Sequence, residues 1–197
     1  MAEFDAHFSS FDFSSHACIA AAVSGGSDST ALLILLQEFL KNLPSAPQLI
    51  AVTVDHGLRA GSANEAVNVK SFCAPLGIAH ITTRWNAGKP DSGIQSAARE
   101  ARYDLIAQAA REARASLVLT GHTEDDQLET VFMRAQRGEG PGLAGMAPAT
   151  LAFNDFDYGP PLWFARPLLK TRRLDLRGAL MKRGFKWIDD PSNDNPD

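Results

Sequence analysis

Two cysteines, and no CxxC pair, leave this chain without the ligand spacing of a structural zinc site or an iron–sulfur cluster. Cys18 and Cys73 stand far apart in apolar surroundings, which reads as two buried free thiols in a reducing, cytoplasmic setting. No apolar run approaches the ~20 residues that span a bilayer, so no membrane role is expected. The N-terminus, MAEFDAHFSSFDFSS, carries acids where a secretory signal carries bases. Its Phe4, Phe8 and Phe11 fall at helical spacing and predict a short packing helix. Positive charge is also scarce. Nineteen Lys and Arg against 23 Asp and Glu give a net charge of −4 over 197 residues, which argues against a chain that coats nucleic acid non-specifically. One stretch reverses the balance: Arg166, Lys170, Arg172, Arg173, Arg177, Lys182, Arg183 and Lys186 face the single acid Asp175. That stripe is either a phosphate-facing surface or a solvated helix face.

A further absence lies in the turn Ser24-Gly25-Gly26-Ser27-Asp28-Ser29. It follows the apolar run ACIAAAV and precedes the helix-like TALLILLQEFLK, the setting of a phosphate-binding loop, yet it has no Walker-type lysine. The paired glycines let helix-terminal N–H groups approach an anion closely, and the three serines add hydroxyl donors. Asp28 would repel that anion unless a cation lies between them, and Mg²⁺ prefers to be shared between carboxylates and phosphates. The loop thus implies a metal-bridged nucleotide. A helix N-cap by Ser or Asp accounts for an SxxD pattern without any ligand, but it explains neither the paired glycines nor the second acidic cluster further on.

Strand-like runs alternate with helical ones along the chain. Residues 17–23, 47–54, 80–85 and 116–121 read as strands, and residues 30–41, 63–76, 94–114 and 124–137 as the helices between and after them. This order predicts a doubly wound parallel α/β sheet. Ligands of such sheets bind beyond the carboxyl ends of the strands, where SGGSDS, DHGLR and GHTEDDQ should converge. Beyond Arg137, the Gly- and Pro-rich RGEGPGLAGMAP reads as a mobile or ligand-ordered loop. Residues 151–169 add one or two strands, and TRRLDLRGALMKRGF a last helix.

In GHTEDDQLET, Asp126 and Glu129 share a helix face at i, i+3, while Asp125 points elsewhere, toward the mouth of the sheet. Gly121 and His122 lie at the strand–helix junction, where backbone can approach a nucleotide. His56 and Arg59, in DHGLR, sit beside the second strand end, with Arg59 either a phosphate or RNA contact or a plain loop arginine.

SGGSDS resembles the PP-loop of the N-type ATP pyrophosphatases, whose fold is Rossmann-like, of the adenine nucleotide alpha hydrolase type. VDHGLR, AREARY, GHTEDDQLETVFMRAQRGEGPGLAGM, RPLL and WIDDPSN follow in order, and together they resemble the tRNA(Ile)-lysidine synthase family from about Cys18 to Asn193. The resemblance implies a ligase. ATP adenylates C2–O of the wobble cytidine in a CAU-anticodon tRNA(Ile) with loss of pyrophosphate, and free L-lysine displaces AMP to form lysidine. It further implies that Ser24, Gly25, Gly26, Ser27, Asp28 and Ser29 hold the pyrophosphate end of ATP, together with Gly121 and His122. Asp28 and Asp125 would share Mg²⁺. Asp126 and Glu129 would hold the lysine ammonium, one of them doubling as general base, with Arg134 at the lysine carboxylate. Residues 138–146 would close over the adenylate, and Arg59, Arg166, Arg172 and Arg173 would meet tRNA. Residues 1–150 are expected to form the catalytic domain and 151–197 its extension, leading in the family to tRNA-binding domains. The oligomeric state stays open, a homodimer included. The alternatives are another PP-loop adenylating enzyme, such as a tRNA thiolase or an amide synthetase, and a non-catalytic nucleotide-binding module.

Overall fold

The computed structural model describes residues 3–57, 61–86, 88, 92–136, 144–152 and 161–188. In chain order the helices are α1 (Asp5–Phe8), α2 (Ser27–Lys41), α3 (Ser62–Cys73), α4 (Ile94–Glu112), α5 (Glu124–Gln136) and α6 (Arg173–Lys182). The strands are β1 (Cys18–Ala22), β2 (Gln48–Asp55), β3 (Ala79–Arg84), β4 (Leu117–Leu119), β5 (Ala149–Ala152) and β6 (Leu162–Ala165). They form one sheet in the order β3-β2-β1-β4-β6-β5, parallel except for β5, which pairs antiparallel with β6. The doubly wound α/β expectation holds.

The central strand explains the layering. In β1, Ile19 and Ala21 join one buried cluster while Cys18 and Ala20 join another, because successive side chains leave opposite faces of a strand. A strand covered on both faces must be apolar throughout, and its run of alanines lets helices pack close on either side. The first cluster gathers α2 and α6 with Phe4, Phe8 and Phe13; the second gathers Ile106, Ala107, Ala109 and Ala110 of α4 with Val52 and Phe164. Helix α2 is apolar nearly all round because α6 covers the side that a surface helix would leave wet. Leu32, Leu33 and Leu36 are fully buried there, each contributing about 2 kcal/mol by removal from water.

Some boundaries move for local reasons. Helix α2 starts at Ser27, three residues before the sequence pattern suggests, with Gly26 as its N-cap. Half of the glycine loop is therefore the helix's first turn. Among the phenylalanines, α1 stops at Phe8, Phe11 falls outside it, and Phe13 is buried in a separate 3-10 turn capped by Asp12. Helix α5 buries none of its residues and leaves Leu128, Phe132 and Met133 exposed. Residue 150, where the catalytic domain is expected to pass into its extension, lies inside β5, and β6 and α6 beyond it belong to the same sheet and core. Both cysteines are buried and free, as expected. Among the described residues no helix is long and apolar enough to cross a membrane.

Candidate active site

With β1 central and its helices on both faces, the chain reverses direction across the sheet between β1 and β4. That switch point opens a crevice at the carboxyl ends of the strands. The turn after β1 and the turn after β4 form its two lips, and a cleft of about 680 Å³ lies between them. Ser24, Gly26, Ser27, Asp28 and Ser29 line it from one side; Gly121, His122 and Asp126 line it from the other. The sequence-derived convergence is thus real for these two clusters. His56, after β2, also faces the cleft. Arg59 lies outside the described residues.

The loop is held in shape by its own hydroxyls. Ser29 Oγ donates to the Gly26 carbonyl (3.1 Å) and accepts from the Ser24 N–H (3.2 Å), while Thr30 Oγ1 donates to the Gly25 carbonyl (3.2 Å). Gly25 itself does not line the cleft. It adopts φ +93°, and the Ile188 N–H donates to its carbonyl (2.9 Å), so Ile188, which also lines the cleft, ties the loop to residues beyond α6. Gly121 plays an unforeseen part. A Cβ there would lie 2.9 Å from the Asp28 carbonyl carbon and oxygen, so the glycine serves contact between the two turns.

The acids sort themselves differently from expectation. Asp125 does not reach the cleft: its Oδ2 accepts from the Arg173 backbone N–H (2.8 Å), capping α6, whose first N–H groups have no helical partner. It is Asp126 that faces Asp28. Asp126 Oδ2 accepts from Thr123 N–H (2.7 Å) and Thr123 Oγ1 (2.9 Å), a cap that starts α5 and fixes the carboxylate. Its Oδ1 accepts from Arg173 Nη2 (3.2 Å), and Arg173 Nε donates to Asp28 Oδ2 (2.9 Å). One guanidinium therefore spans the two carboxylates, and their negative charges in turn favour its charged form, against its partial burial. Glu129, one turn further along α5, is exposed and does not line the cleft. Arg134 donates to the Ala144 carbonyl, and Gln127 Nε2 to the Met146 carbonyl (2.9 Å), so this helix anchors the described end of the glycine-rich loop. Residues 137–143 of that loop lie outside the described residues.

The basic stripe divides once folded. Arg166 is buried, donating to the Ala147 carbonyl (2.9 Å) and to Thr150 Oγ1 (3.3 Å), and is unavailable to a tRNA surface. Its place at the end of β6 makes it a brace for β5. Arg173 turns into the cleft, and Arg183 pairs with Glu38 on α2 (3.0 Å). Lys170, Arg172, Lys182 and Lys186 remain exposed. Helical geometry sends every third or fourth residue inward, which a simple count of charges does not register.

Three residues of AREARY enter the cleft without having been assigned a role. Arg99, Arg102 and Tyr103 share one face of α4 at i, i+3 and i+4, and that spacing was the available signal. Arg102 Nε donates to His56 Nε2 (3.2 Å), and the Arg99 guanidinium lies 5.7 Å from the Tyr103 ring centroid. Asp55, next to His56 in sequence, is instead a loop brace. Its Oδ1 accepts from Ser62 Oγ (2.6 Å) and Gly57 N–H (2.9 Å), and those bonds, the serine first, hold its carboxyl below the ordinary range.

His122 hydrogen-bonds Thr120 Oγ1 through Nδ1 (2.8 Å). Burial pushes its pKa down to about 4; Asp126 opposes the shift, and Arg166, Arg99 and Arg102 reinforce it. The folded protein thus holds a neutral imidazole where the unfolded chain binds a proton below about 6.5. Acidification from pH 6.5 toward 4 accordingly favours unfolding, by about 1–3 kcal/mol from this residue. Chemical denaturation at pH 7 and 4.5 should show a smaller acid loss in His122→Gln than in the wild type; equal losses would remove His122 as the source.

The PP-loop domain model matches residues 2–197. The tRNA(Ile)-lysidine synthase of Mesorhizobium japonicum is 52% identical over 192 residues, covering 94% of this chain and 40% of the relative. That of Brucella ovis is 49% identical over 193 residues, covering 96% and 42%. The chain thus spans about two fifths of these relatives' length. Among solved structures, the U34-tRNA thiolase NcsA from Methanococcus maripaludis superposes with a TM-score of 0.73 over 88% of this chain and 59% of that one, at 21% identity, a likeness of fold. The serine-braced loop after the central strand, its partner turn after β4 and a family match along nearly the whole chain lead to one conclusion: the chain belongs to the PP-loop domain family.

Proposed function

We propose that this chain is the catalytic portion of a tRNA(Ile)-lysidine synthase acting in the cytoplasm. The observation that carries the reading is the cleft in which the Ser24–Ser29 loop faces Asp126 across one crevice, in a chain about half identical to enzymes of that name. ATP would enter with its pyrophosphate end on the loop and on the α2 N-terminus, whose N–H groups favour anions. Asp28 and Asp126, in place of the expected Asp28 and Asp125, are the carboxylates fit to hold Mg²⁺: two fixed hard-oxygen groups already converge on one cationic guanidinium. A divalent cation held there would neutralise phosphate charge during cleavage.

The cytidine C2 oxygen attacks the α-phosphorus and the bond to pyrophosphate breaks. The lysine side-chain ammonium first gives up a proton; the neutral nitrogen then attacks C2, the C2–O bond to AMP breaks, and a second proton leaves the nitrogen to solvent. Asp126 attracts the incoming ammonium and takes its first proton, while Glu129, exposed one turn away and outside the cleft, adds negative charge at the approach. Arg134 gives one N–H to the Ala144 carbonyl, and its remaining donors would serve the lysine carboxylate. Of the arginines first considered for tRNA, Arg172 remains at the surface, beside Lys170, Lys182 and Lys186, to meet phosphate.

The thiolase alternative is disfavoured by the cysteines. Both are buried, and burial pushes the Cys73 thiol up to about 11, far from the thiolate that sulfur transfer requires. The decisive measurement is pyrophosphate release from ATP with lysine and CAU-anticodon tRNA(Ile) added or withheld. Release that requires the tRNA and turnover that requires lysine are expected; equal release without tRNA would overturn the reading.

A further inference from the structure

Arg173 and Arg177 stand one turn apart on α6, the helix packed against α2. Both side chains reach the glycine loop, but they end in different company. Arg173 is committed to the carboxylates of Asp28 and Asp126. Arg177 Nε donates to Ser27 Oγ (3.3 Å), in the first turn of α2, and its guanidinium carbon lies 6.0 Å from the Trp187 ring centroid. A hydroxyl and an indole orient a guanidinium without neutralising it. Ser27 Oγ in turn donates to Asp28 Oδ1 (2.9 Å), so Arg177, just outside the lining of the cleft, is one hydroxyl removed from the residue that would repel a phosphate.

Charge balance shows why a second cation matters here. Asp28, Asp126 and Arg173, the charges packed on the loop itself, sum to one net negative charge, while Arg99 and Arg102 face the cleft from α4. The N–H groups of α2 and a metal offset part of it; Arg177 adds a full positive charge on the loop side. A guanidinium has five N–H donors in a planar fork, and with Nε on Ser27 the two terminal amino groups carry the other four, the arrangement that matches phosphate oxygens two at a time. We infer that Arg177 holds the pyrophosphate leaving group, with Trp187 and Ser27 setting its orientation.

This assignment rests on the proposed cleavage of ATP at the α–β bond, and it can fail separately. Calorimetric titration of wild type, Arg177→Gln and Arg177→Lys with inorganic pyrophosphate, ATP and AMP, each with Mg²⁺, separates the cases. In Arg177→Gln, affinity for pyrophosphate and ATP should fall roughly tenfold or more, the loss of a charge-assisted hydrogen bond, while AMP binds within twofold of wild type. Arg177→Lys keeps the charge and the stem but not the fork, and should lose less. It also decides the matter if Arg177→Gln melts at a lower temperature. Unchanged pyrophosphate affinity in both variants overturns the assignment and leaves the proposed function standing. An equal loss for AMP overturns it too, since the role would then be structural. Wild-type protein that binds neither ATP nor pyrophosphate overturns both.

Discussion

Asp28→Ala should lower pyrophosphate release by two to three orders of magnitude while the protein still folds. The carboxylate lies in the first turn of α2, lines the cleft and meets Arg173 at 2.9 Å. In its proposed role Asp28 bridges a metal to phosphate, and losing such a group removes several kcal/mol of charge stabilisation, each 1.4 kcal/mol being about tenfold in rate. The folding cost is small by comparison. The ion pair is partly solvated and worth about 1 kcal/mol or less, and Arg173 keeps Asp126 as a partner. Steady-state pyrophosphate release with a Mg²⁺ titration, alongside a melting curve, checks both halves. Near-normal rates at ordinary Mg²⁺ would remove Asp28 from the metal site.

Gly121→Ala should be comparably damaging for a different reason. The added methyl would sit 2.9 Å from the Asp28 carbonyl carbon and oxygen and 3.0 Å from Ser29 Cα. These are backbone atoms of the loop, so no rotamer change relieves the clash. Either the turn after β4 or the loop after β1 must move, and the two lips of the cleft are then misaligned. ATP affinity should fall at least tenfold, with about 1–3 kcal/mol lost from stability through overpacking. Titration with ATP and urea unfolding of the same sample test this. A variant that binds ATP as the wild type does would show that the two turns tolerate separation.

Much of the architecture was legible because it rests on short-range patterns. Apolar runs of strand length between helix-length segments specify a parallel sheet. The two polar turns at strand ends were readable for the same reason. Legibility failed where a residue's role depends on what a distant element places beside it. Asp125 and Asp126 are adjacent and chemically identical, yet one caps α6 and the other faces Asp28. The first N–H of α6 decides between them, and that helix lies 48 residues downstream. Arg166 and Arg173, alike in a count of basic residues, part in the same way: one braces β5 and the other bridges two acids.

By itself, then, the sequence determined a doubly wound sheet and a glycine- and serine-rich turn carrying a carboxylate at a strand end, because strand and helix periodicity and glycine geometry are local properties. Only the tertiary structure decided which second acid meets Asp28 across Arg173, that Arg173 turns into the cleft while Arg177 reaches Ser27, and that Gly121 is there to let two loops touch. Those outcomes depend on long-range packing of α6 against α2 and of β4 beside β1, and no local pattern encodes distances between segments a hundred residues apart.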